Sequence, residues 1–106
     1  MSEYDYAWEK LYTSVSCLAG RGTQKERLQN ALVSALSRIV HEDDLPEELR
    51  ERFRNLMARF HQIRTVGTVG GFDKNVELMS DDEISKAVDE ILNLYDAVCR
   101  YQEPHT

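Results

Sequence analysis

The chain reads as all-α, an antiparallel four-helix bundle, on two observations. Four stretches repeat apolar residues at helical spacing, and three of them open with a helix-start signal. The helices are expected at about 3–19, 24–40, 46–64 and 81–101, with a long loop, 65–79, before the last. At 106 residues the chain forms one domain, 1–106, with room for a single core.

In the first helix Tyr4, Trp8, Leu11, Val15 and Leu18 mark one stripe, with Ala7 and Tyr12 beside it. Trp8 and Tyr12 are therefore expected in the packing, while Tyr6 points elsewhere. Gly20-Arg21-Gly22 is expected to end this helix through a left-handed glycine cap. Thr23 with Glu26 three residues later is a capping box that starts the second helix. Its stripe is Leu28, Ala31, Leu32, Ala35, Leu36 and Ile39. At about 100° per residue, Val33 and Val40 widen the apolar arc to roughly 200°. Such an arc predicts either a central helix or an edge that meets a partner, and a homodimer is one such partner.

His41-Glu42-Asp43-Asp44 is a polar connector. Its four consecutive residues do not converge on a cation without a shaped loop, so no metal site is expected. Leu45-Pro46-Glu47-Glu48 starts the third helix, which buries Leu49, Phe53, Leu56, Met57, Phe60 and Ile63. Its acids lead and its arginines follow, as the helix dipole favours. The 65–79 connection holds the echo Thr65-Val66-Gly67, Thr68-Val69-Gly70. With Val66, Val69, Phe72, Val76 and Leu78 it is too apolar for a solvated linker, so it should fold back or dock on a partner. Its glycines lack the spacing and the following helix of a phosphate loop. Ser80 and Glu83 form a second capping box. Ile84, Val88, Ile91, Leu92, Tyr95, Val98 and Cys99 are expected to face inward from the last helix.

Composition narrows the function. Residues 1–41 carry four acids and five bases; residues 42–106 carry fifteen acids and eight bases, which accounts for the net charge of −6. An acidic surface repels phosphate backbones, so nucleic acid is disfavoured as a partner, whereas a basic protein surface is not. No apolar run is long enough to span a bilayer, and Met1-Ser2-Glu3-Tyr4-Asp5 lacks the layout of a signal peptide, so a cytoplasmic location is expected. Cys17 and Cys99 should lie at opposite ends of the bundle as free thiols, in keeping with a reducing compartment.

Two catalytic patterns deserve naming. Glu48 and Glu51 make an E-x-x-E pair, similar to half of the magnesium site of MazG-type pyrophosphohydrolases, but the last helix offers no matching second pair. Arg54-Asn55 followed by His61 resembles the R-x(4–6)-H element of HEPN ribonucleases, which are also small helical bundles. That resemblance implies His61 as acid or base in RNA cleavage and Arg54 as its phosphate partner. It covers eight residues, and Arg100 with His105 fits the same spacing.

The reading preferred from the sequence is a non-catalytic protein–protein interaction or regulatory module without cofactor or metal. Its partner contacts are expected at Val33, Val40, Val66, Val69 and Phe72. The alternative is an HEPN-like, metal-independent ribonuclease using Arg54 and His61.

Overall fold

The computed structural model describes residues 4–61 and 76–101, leaving aside the side chains of Glu42 and His61. Every regular element among them is helical: α1 (Asp5–Leu18), α2 (Gln24–Ser34), 3₁₀ turns at Leu36–Arg38 and Glu42–Asp44, α3 (Glu47–His61), a helical turn at 76–78, and α4 (Asp81–Cys99). The all-α expectation therefore holds. None of these helices is long and apolar enough to cross a membrane.

Both capping boxes form. Thr23 Oγ1 accepts from the Glu26 amide at 3.2 Å, and Ser80 Oγ accepts from the Glu83 amide at 3.2 Å; each glutamate reaches back to its cap residue's own N–H. Each box satisfies donors that the first helical turn would otherwise leave orphaned. The glycine between α1 and α2 that needs the left-handed region is Gly22, at φ +101°, not a cap at Gly20. A Cβ on Gly22 would also lie 3.1 Å from a Glu26 carboxylate oxygen. Glycine here serves the start of α2 rather than the stop of α1.

The second helix stops six residues before its expected end. Ala35 leaves helical geometry at φ −135°, ψ −63°, and Leu36–Arg38 continues as a 3₁₀ turn. Two side chains cover carbonyls at this break: Ser37 Oγ donates to Val33 O at 3.1 Å, and Tyr6 Oη donates to Arg38 O at 2.9 Å. Leu36 and Ile39 remain buried because a spacing of three serves a 3₁₀ turn as well as an α-helix. Val40 therefore leaves the helix, and the wide arc that joined it to Val33 does not exist.

The core is continuous: Leu11, Leu28, Leu32, Leu45, Leu56, Phe60, Val76 and Ile91 are fully buried. Each such side chain contributes about 1.5–3 kcal/mol of burial. The central element is α4, which packs on α1 and α3 and more lightly on α2, while α2 leans chiefly on α1. The wide arc thus did not mark the central helix. Tyr4 meets Tyr101 and Trp8 meets Tyr95, so α1 and α4 run antiparallel. Glu48 meets Tyr101 and Arg59 meets Glu90, so α3 and α4 do as well. Cys17 and Cys99 are free, at opposite ends of the α1/α4 pair. Val76 and Met79, the described end of the long connection, fold into the core, and Lys25 Nζ clasps Glu77 O at 3.0 Å.

Candidate functional site

Two helices packed side by side leave a seam, and α4 has one along each flank. The seam with α1 is aromatic. Trp8 and Tyr12, one turn apart, stack at 5.5 Å with 22° between their planes. Tyr95 joins from α4, its ring 6.5 Å from Trp8 and 6.2 Å from Tyr12. Leu92 stands one turn before Tyr95 on the same side of α4, with Val88 a further turn back. Tyr12 is 51% exposed and Leu92 42%, so the seam shows carbon to solvent. Both had been expected inside. They sit about 80° from the first residue of their helical stripes, at the margin where an apolar arc runs out of neighbours. Glu9 and Asp89 lie just beyond that margin and are exposed, and neither has an ion pair among the described residues. Asp96 borders the seam too, held by Arg100 at 2.8 Å. Burial, followed by a hydrogen bond with the Cys99 thiol, raises the Tyr95 pKa above the ordinary phenol value.

The seam with α3 is polar. Arg52, Asn55 and Arg59 from α3 and Glu90 and Asn93 from α4 line a 280 Å³ groove floored by Leu94. Arg59 and Glu90 close across it at 2.7 Å. At the far end Tyr101 Oη donates to the Glu48 carboxylate, which raises the phenol's pKa, since an ionised Tyr101 would face that anion. Glu48 is therefore engaged in helix packing. No cluster of metal-ligating side chains occurs among the described residues.

A third recess, of 420 Å³, lies where the chain bends after α2, lined by Tyr6, Arg38, Val40, His41 and Asp44. Tyr6 is 45% exposed, and Lys10 Nζ sits 5.4 Å from its ring centre.

The residues singled out from the sequence are scattered. Val33 (49% exposed) is on α2, and Val40 (73% exposed) is on the segment beyond the break, in a recess that Val33 does not line. Val66, Val69 and Phe72 lie outside the described residues. Arg54 is exposed on α3 and does not line the α3/α4 groove, although its neighbour Asn55 does. His61 is the last residue of α3, and its side chain lies outside the described set. The α1/α4 seam was not recognised as a surface from the sequence. The signal that could have found it is the chain's only tryptophan at helical spacing from Tyr4 and Tyr12, with acids filling the next positions round the helix. Comparison with protein-family models, with characterised proteins and with solved structures returns no match.

Proposed function

We propose that this chain is a non-catalytic protein–protein interaction module that receives its partner on the α1/α4 seam. The observation that carries the reading is the aromatic-aliphatic strip along this seam, with Tyr12 and Leu92 exposed, Trp8 and Tyr95 half-buried beside them, and Trp8 stacked on Tyr12. Large apolar residues exposed singly are ordinary, but a contiguous strip from two helices, rimmed by charge, is the usual form of a docking face. Preorganised aromatics also lose little side-chain freedom on binding. Val33 and Val40 are exposed too, at two separate places.

The test is site-specific photo-crosslinking in the native host. A benzophenone amino acid replaces Tyr12, Leu92, Val33, Val40 or, as a control on an exposed polar site, Asn30. A discrete adduct from positions 12 and 92, absent from position 30, is the expected result. Adducts from 33 and 40 alone would move the docking face to the α2 side. No discrete adduct from any of the four would overturn the reading.

A further inference from the structure

Taking the α1/α4 seam as the docking face, we infer that its occupant is a basic amphipathic helix of about three turns. The strip runs from Trp8 to Val15 on α1 and from Val88 to Tyr95 on α4, between antiparallel helices; these four side chains are half-buried against the core, and Tyr12 and Leu92 stand exposed along it. Each side rises about 10 Å, so a guest of roughly eleven residues, about 16 Å long, covers it with about half a turn beyond each end. No strand edge is present among the described residues, so an incoming extended segment would find no backbone to pair with. A helix brings its own hydrogen bonds and presents apolar residues at i, i+3, i+4 and i+7, which suits a furrow between two helices.

Charge selects the sign. Glu9 borders the strip on α1 and Asp89 on α4, both exposed and without ion pairs among the described residues. Lysine or arginine on the flanks of the guest meets those carboxylates, and its cation can rest on the faces of Tyr12 and Trp8. A second copy of this chain fits badly, because a two-fold contact through this face brings the acidic rims of the two copies together. Anionic lipid and nucleic acid are repelled for the same reason.

The protein carries its own reporter, since Trp8 is the only tryptophan and lies in the strip. The full chain is titrated with two tryptophan-free helical peptides that share a leucine face, one with lysine flanks and one with glutamate flanks. The lysine peptide is expected to shift Trp8 emission saturably and the glutamate peptide to leave it unchanged. Affinity for the lysine peptide should fall about tenfold in the Glu9→Lys/Asp89→Lys variant, and should weaken between low and high salt in the unaltered chain. Should that variant not fold, the salt series and the glutamate peptide still decide. Equal binding of the two peptides, or no saturable response to either, overturns the inference. So does sedimentation as a dimer that Leu92→Glu dissociates, since the occupant is then a second copy. In all these cases, site-dependent crosslinks from positions 12 and 92 would leave the docking reading standing, while their absence beside good peptide binding would remove that reading alone.

Discussion

The two flanks of α4 solve the same packing problem in opposite ways. Towards α3 the seam is closed with polar groups: Arg59 grips Glu90 at 2.7 Å, Tyr101 donates to Glu48, and the apolar floor at Leu94 is 1% exposed. Towards α1 the seam ends in ring carbon and Leu92, with the nearest acids set back from it. Both flanks face water and both join antiparallel helices, so solubility alone would dress them alike. Stability does not require the aromatic flank to stay open either, because charged side chains can cover apolar seams with their stems, as Arg59 does opposite. The difference is that one flank of α4 is closed by paired polar groups while the other leaves apolar side chains in water.

The comparison is broken most sharply by two leucines two residues apart on α4. Leu94→Ala should cost about 2–5 kcal/mol in urea unfolding, because it opens a cavity under the polar seam. Leu92→Ala should cost less than about 1 kcal/mol, because much of that side chain is already in water. Similar losses at the two sites would mean that the α1/α4 seam is core.

Next in size is the cap that launches α4 between the two flanks. Ser80→Ala should cost about 1 kcal/mol, measured by thermal unfolding. Ser80→Asp should recover most of it, because aspartate also accepts from the first-turn amides.

Alkaline titration separates the flanks by cause. Tyr95 is raised first by burial and Tyr101 first by its bond to Glu48, so both hold their protons to higher pH folded than unfolded. The folded state then binds more protons in that window, and stability falls as pH rises above about 10. Melting temperature followed across that range should decline less steeply in Tyr95→Phe and in Tyr101→Phe. Tyr101→Phe, unlike Tyr95→Phe, should have a smaller effect when Glu48 is already glutamine.

The Arg59–Glu90 pair should be worth less than about 1 kcal/mol in a double-mutant cycle, because about a third of each side chain is in water. The smallest expected effect is none: Arg54→Ala and His61→Ala should leave RNA incubated with the protein as intact as the unaltered chain does. A ribonuclease activity lost in both variants would instead favour the catalytic resemblance.

Much of this architecture was legible because helix starts and stripes are local signals. Thr23 with Glu26 and Ser80 with Glu83 are read from three-residue spacings, and both boxes form. Leu28, Ala31, Leu32, Ala35, Leu36 and Ile39 were identified as core and are buried. Their conformation was not legible, since spacing of three is shared by α and 3₁₀ geometry, and the carbonyl of Arg38 beyond the break is met by Tyr6, 32 residues away. Tyr12 and Leu92 were misplaced for a related reason. Their angle on each helix is apolar in sequence, but whether a neighbour covers it is decided by which helices pack together. Val33 and Val40 were joined by an α-helix that stops between them.

The hydroxyl of Tyr6 has a last consequence. It fastens the bend after α2 to the opposite side of α1 from Trp8 and Tyr12, so α1 works as a keel with stacked rings on one side and rigging on the other. A version of this protein trimmed past its first dozen residues would lose Trp8, Tyr12 and its moorings in a single cut.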